Sequence, residues 1–171
     1  QRDNYFDING ALYAVSGRAQ KQHGASWSTW VMLDQRLLQY HTKDTGLTAL
    51  AGAIYNDPHT SLRNYLVYAA LLNRGYFRSR PYDTMGVAFT YTKIAQGVSA
   101  SESALLARGA VAPNHATGIQ RSAMVLELNY AVHVMSGIIF TPVFEYYIHP
   151  NAQANLRNAA LLGLRVHIQL M

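Results

Sequence analysis

Residues 122–150, SAMVLELNYAVHVMSGIIFTPVFEYYIHP, and residues 158–171, NAALLGLRVHIQLM, contain three runs that alternate apolar and polar side chains with a period of two. In the first run Met124, Leu126, Leu128, Tyr130, Val132 and Val134 point one way and Ala123, Glu127, Asn129, Ala131 and His133 the other. The second sets Ile138, Phe140, Pro142, Phe144, Tyr146 and Ile148 against Thr141, Val143, Glu145, Tyr147 and His149. The third sets Ala160, Leu162, Leu164, Val166, Ile168 and Leu170 against Gly163, Arg165, His167 and Gln169. Successive strand side chains leave on opposite faces, so each run is a ribbon with one apolar and one polar side.

Such ribbons need an apolar environment on one side only, which a packed core or a lipid-embedded barrel supplies. Their length favours the barrel: a membrane-spanning strand needs roughly 9–11 residues, whereas strands of globular domains average about 5–6. Ser136-Gly137 is a tight-turn signal between the first two runs, so the expected order is an antiparallel up-and-down meander.

Working outward, Asp83–Ile94 alternates in the same way, with Met85, Val87, Phe89 and Tyr91 against Gly86, Ala88, Thr90 and Thr92. Tyr65–Leu72, Leu47–Tyr55 and Trp30–Tyr40 read as further strands, although Asp34 and Arg36 share a face with Trp30 and Met32 and leave the register of the last one open. Asn9–Gly17 reads as a short strand after an irregular lead-in over residues 1–8. Ser99–Arg108 breaks the rhythm; Ser101-Glu102-Ser103 before Ala104, Leu105 and Leu106 predicts one capped helix near Glu102–Arg108. Gly109–Gln120, with Pro113, Asn114 and Gly118, reads as a loop. The expected fold is all-β, a single domain over residues 1–171 with about eight strands in a meander or a small closed barrel.

Composition narrows the function classes. Half of the 171 residues are hydrophobic and 13% are charged, and no stretch approaches the ~18 consecutive apolar residues of a spanning helix. Twelve Tyr, five Phe and two Trp suit strands and interfacial girdles. The absence of cysteine excludes a thiolate nucleophile and thiolate metal ligation. The net charge of +5 is scattered apart from Arg74, Arg78 and Arg80, which argues against a nucleic-acid partner. No Gly-x-Ser-x-Gly elbow or phosphate loop is present, so no catalytic residue and no cofactor is expected. The first residue is Gln1 with no charged-then-apolar leader behind it, which reads as a processed exported chain or a fragment.

Two groups of side chains are candidates for function. Glu127, His133, Glu145, His149, Arg165 and His167 fall on polar faces and form either a ligand-lining set or an internal network in which Arg165 and the histidines neutralise the two carboxylates. No metal site is expected among them. Arg74, Tyr76, Phe77, Arg78, Arg80 and Asp83 form a basic, aromatic turn, either a selectivity loop, a docking surface or a solvated turn in which Asp83 pairs with Arg80.

Gly75-Tyr76-Phe77 leading into Arg80-Pro81-Tyr82-Asp83 and Gly86, then Glu127-Leu128-Asn129-Tyr130, Pro142 with His149-Pro150, and Asn158-Ala159 before Gly163-Leu164-Arg165 resemble, in order and spacing, the C-terminal half of the OprB carbohydrate-selective porins. The likeness covers most of the chain and implies an outer-membrane-type antiparallel barrel that passes sugars by diffusion. Two departures shape the expectation. A water-filled porin needs roughly 16–18 strands, and about eight leave an interior filled by side chains. The family also ends on an aromatic residue, where this chain ends on Leu170-Met171. The resulting expectation is a non-catalytic, exported accessory subunit, in periplasm or outer membrane, whose apolar face packs on lipid or on larger protein subunits. A size and cofactor-free analogy points to the small subunit of membrane-bound quinohaemoprotein alcohol dehydrogenases. The alternative is a sugar porin or a segment of one, with sugars as ligands.

Overall fold

The computed structural model describes residues 2–111 and 116–169. Seven long strands form one antiparallel meander: β3 (Ser28–Gln39), β4 (Gly46–Asn56), β5 (Arg63–Arg74), β6 (Thr84–Ile94), β7 (Ser122–Met135), β8 (Ile138–Ile148) and β9 (Ala159–Ile168), each paired with its neighbours in sequence. A separate ribbon, β1 (Arg2–Asp7) with β2 (Gln20–Gln22), two α-helices, α1 (Tyr13–Ser16) and α2 (Gln96–Leu106), and a short 3-10 helix over Pro150–Ala152 complete the described elements.

Alternation translates directly into faces because the ladders keep register. Leu128 lies opposite Val87 on one side and Phe144 on the other, and Phe144 opposite Leu162. Extending that row gives an apolar face across the meander: Val31 and Leu33, then Ala49, Ala51 and Ala53, then Val67, Ala69 and Leu71, then Val87 and Phe89, and so on to Leu162, Leu164 and Val166. Much of it lies open, Leu162 at 83% and Leu164 at 62% exposed. Twelve residues of β5 at ~3.3 Å each make a strand of about 40 Å, and a tilt of ~40° leaves about 30 Å of height, enough for an apolar band of ~25 Å. Aromatic pairs stand at both margins. Trp27 and Tyr55 (5.5 Å between ring centres) and Tyr65 and Tyr91 (6.4 Å) mark one, and Tyr40 with Tyr76 (6.1 Å) and Tyr76 with Phe77 (5.1 Å) the other.

The opposite face is mixed. Gly52 faces Tyr68 across the β4–β5 ladder, and a Cβ at Gly52 would lie 2.5 Å from the Tyr68 ring; the missing side chain is what lets that ring lie against the wall. The small buried core sits at one end of this face. Tyr5, Ile94, Ala95, Val98 and Ala152 pack together with Phe6 and Ala123, so β1 and α2 cover the end of the sheet.

Several expectations need correction. Of the two expected forms the structure takes the open meander: among the described residues β3 and β9 have no ladder to each other, and the mixed face is too open to be the packed interior of a small barrel, with Arg165 62% exposed. Residues 2–7 are strand and not an irregular lead-in, because the short β2 supplies a partner that local pattern does not reveal. Within Asn9–Gly17 the chain closes one helical turn, Tyr13–Ser16, ended by Gly17 at φ 66°, the left-handed region that glycine enters without strain. The longer helix begins earlier than expected, at Gln96, with Ala95 before it and no side-chain cap. Ser101 and Glu102 are not its cap; both are buried mid-helix, where Glu102 Oε2 accepts the Gln120 N–H at 2.6 Å. Burial pushes the Glu102 carboxyl up, and that hydrogen bond only partly opposes it. Pro113, Asn114, Leu170 and Met171 lie outside the described residues.

Candidate functional site

Three adjacent strands, β7, β8 and β9, place the polar cluster on the mixed face. Glu127 and Glu145 are direct cross-strand partners. Like charges in that position repel, and the structure answers with Arg165, whose Nη2 stands 3.4 Å from Glu127 Oε1 and 3.8 Å from Glu145 Oε1. Arg165 is seated opposite Thr141, so its side chain reaches back past the Val143–Gly163 pair to the level of the two carboxylates. Asn129 donates its Nδ2 to Glu127 Oε1 at 2.9 Å, and Tyr147 donates its hydroxyl to Glu145 Oε2. Gly86 faces Asn129 from β6, and a Cβ there would lie 2.6 Å from Asn129 Oδ1, so this glycine makes the room that Asn129 occupies.

The cluster is half-open. The Glu127 and Glu145 side chains are 25% and 17% exposed, beside the open Arg165. One guanidinium against two carboxylates leaves a net negative spot that offers charged acceptors, a charged donor, an amide and a phenol side by side. Chemically, such a set is suited to groups that both donate and accept, as hydroxyls do.

The histidines do not join it. His133 and His167 share a register row through Ile139, toward the far end of the same face, and His149 lies beyond β8 in the left-handed region (φ 52°), its N–H donated to Asn158 Oδ1. The expected neutralisation of Glu127 and Glu145 therefore comes from Arg165 without the histidines. Asn129 and Tyr147 were not singled out from sequence, although each stands two residues from a candidate glutamate and so on its face.

The turn after β5 is built around Asp83. Its carboxylate accepts from the Arg80 guanidinium, from the Tyr130 hydroxyl (2.8 Å) and from the His133 N–H (2.9 Å), and its backbone carbonyl accepts the Gly75 N–H. Burial pushes the Asp83 carboxyl up, but those three donors outweigh it and hold the group below its usual range. Gly75 sits at φ 67°, where a Cβ would lie 2.5 Å from Thr45. Arg78 Nε points to His41 Nε2 at 3.4 Å, while Tyr76 and Phe77 are exposed and Arg74 is exposed at the end of β5. Thus Asp83 and Arg80 hold the turn's shape, and the aromatic residues stand on its outside.

A family profile for carbohydrate-selective porins of the OprB family matches residues 1–170. The chain belongs to that family. Porin B of Pseudomonas aeruginosa is 22% identical over 176 residues, covering 96% of this chain and 37% of the relative. Porin QuiX of Acinetobacter baylyi, a provisional name, is 26% identical over 171 residues, 93% of this chain and 39% of the relative. The high-pH structure of Pseudomonas putida OprB superposes with a TM-score of 0.88 at 26% identity, covering 98% of this chain and 41% of that one. The chain thus spans about two fifths of the length of the porins it matches, and its open meander has the shape of a segment of such a porin.

Proposed function

We propose that the seven-stranded meander is part of the wall of an outer-membrane porin for passive sugar diffusion, with the apolar face on lipid and the cluster of Glu127, Asn129, Glu145, Tyr147 and Arg165 on the water-filled side. The observation that carries this reading is the pairing of an apolar face, continuous across seven strands and bounded by aromatic margins, with a half-open polar cluster directly behind it. Family membership supports it, as does strand number. Seven strands over about two fifths of a porin's length extrapolate to roughly 17, within the range that leaves an aqueous channel. The edges of β3 and β9 require further strands for closure, because a barrel in lipid tolerates no unpaired backbone. The accessory-subunit reading yields to this one: the relatives are porins by name, and the strand shortage that favoured it belongs to a segment that spans only part of their length.

A diffusion path needs sites that hold a sugar weakly and release it. Arg165 supplies the charged donor at this one. In bilayer recordings of a barrel containing this segment, Arg165→Ala is expected to weaken sugar block by roughly 10- to 100-fold, the loss of one charge-assisted hydrogen bond of ~1.5–3 kcal/mol, and to shift selectivity toward cations as Glu127 and Glu145 lose their counter-charge. Unchanged sugar block and selectivity would contradict the proposal.

A further inference from the structure

Away from the strand cluster, three side chains distant in sequence meet where the β1–β2 ribbon touches the turn between β4 and β5. Asp3 comes from β1, His23 directly follows β2, and His59 lies in the turn. Asp3 Oδ2 is 2.7 Å from His23 Nε2 and 3.6 Å from His59 Nδ1, and one ligand atom from each residue falls within 4.8 Å of the others. We propose that Asp3, His23 and His59 form a binding site for a divalent transition-metal ion of the zinc type, which clips the N-terminal ribbon to the rim of the sheet.

Each partner is held in a manner suited to that role. Asp3 is buried, and its other oxygen, Oδ1, is occupied by the N–H groups of Tyr5 and Phe6 at 2.8 and 2.9 Å, which orients Oδ2 toward the imidazoles. His59 is placed by an Asp57 turn, in which Asp57 Oδ1 accepts the His59 N–H and Oδ2 the Thr60 hydroxyl. The two imidazoles lie stacked, 5.4 Å apart and 25° from parallel. One metal ion bound by both ring nitrogens and the carboxylate would satisfy all three groups at once. Ligand atoms around a tetrahedral ion with bonds of about 2.0–2.1 Å lie ~3.3 Å apart. The His59 contact is already near that spacing, and the His23 contact opens by about half an ångström from its hydrogen-bonded distance. Two imidazoles and one carboxylate favour zinc and its transition-metal neighbours over calcium or magnesium, which prefer all-oxygen sites.

The staple has a mechanical consequence. Among the described residues the ribbon has a ladder only within itself, beside one bridge from Phe6 to Leu12, and the Tyr5 hydroxyl reaches the Ser61 carbonyl at 3.0 Å, so metal binding adds a second tie to the same turn. The test is calorimetric titration with Zn²⁺ of the detergent-solubilised protein after chelator dialysis, alongside His59→Ala, at a half-exposed position, and His41→Ala, a histidine at the opposite end of the sheet. One equivalent is expected to bind the parent protein and His41→Ala equally, and His59→Ala is expected to bind more than tenfold more weakly. Co²⁺ in place of Zn²⁺ is expected to give the visible absorption of a low-coordinate nitrogen and oxygen site in the parent and to lose it in His59→Ala. Equal binding by the parent and His59→Ala, or no stoichiometric binding by the parent, would overturn the assignment.

Discussion

Arginine in place of Leu128 is expected to lower stability in a lipid bilayer by about 2–4 kcal/mol, the depth-dependent cost of a charge near the midplane of a barrel's lipid face. Leu128 stands in the middle of β7, 44% exposed, in a row with Val87 and Phe144 and between the two aromatic margins. No polar partner lies in that row, so the guanidinium meets hydrocarbon. The companion substitution His167→Arg puts the same charge on the exposed mixed face, where a surface change away from special features stays within ~0.5 kcal/mol. Reversible denaturant unfolding of the protein in vesicles measures both. A penalty for His167→Arg as large as for Leu128→Arg would mean that the faces are wrongly assigned.

Asp83→Asn is expected to cost about 2–3 kcal/mol, less than the 3–5 of a fully buried broken pair, because Arg80 stays 44% exposed and partly solvated. Asparagine keeps the size of the side chain but removes the charge that gathers Arg80, the Tyr130 hydroxyl and the His133 N–H. The pH dependence follows from the direction of the shift. The folded carboxyl titrates below its unfolded value near ~3.9, so its stabilisation is complete above that value and is lost as pH falls through the lower, folded one. The gap between parent and variant should therefore be constant at neutral pH and close only in strong acid. A gap that closes between neutrality and mild acid would point to a different group.

The strands were legible in sequence to the degree that their two faces meet different solvents. β7, β8 and β9 carry apolar side chains on one face and mostly polar ones on the other, and their alternation gave bounds, hairpin turn and faces together. β3 was harder, because Trp30 and Met32 stand on the mixed face with Asp34 and Arg36, and a bulge between Arg36 and Leu38 breaks the alternation. β1 was invisible: its strand character comes from pairing with a three-residue partner, a tertiary effect with no periodic trace. Closure was left open by the alternation, which serves a meander and a small barrel equally. Strand count within the chain suited either form, and the ladders, which run from β3 to β9 without joining those two strands among the described residues, show the open one.

The candidate site divides in the same way. Glu127, Glu145 and Arg165 could be collected by face, and Asn129 and Tyr147 follow from the same period once the glutamates are known. That Arg165 and not the histidines neutralises the carboxylates depends on register, which the period of two does not fix. Asp3, His23 and His59 share no spacing rule at all, since a strand, the residue after a second strand and a turn bring them together.

On the proposed reading, alternate residues of β7 face lipid and water. The chain has no cysteine, so single cysteines at 126, 127, 128 and 129 carry a spin label without background. Collision rates with oxygen, which concentrates in lipid, and with a water-soluble nickel chelate then report each face in reconstituted bilayers. Positions 126 and 128 are expected to favour oxygen and positions 127 and 129 the chelate, with a period of two. Equal accessibility at all four positions, or the opposite phase, would contradict the assignment of an apolar lipid face and a polar channel face.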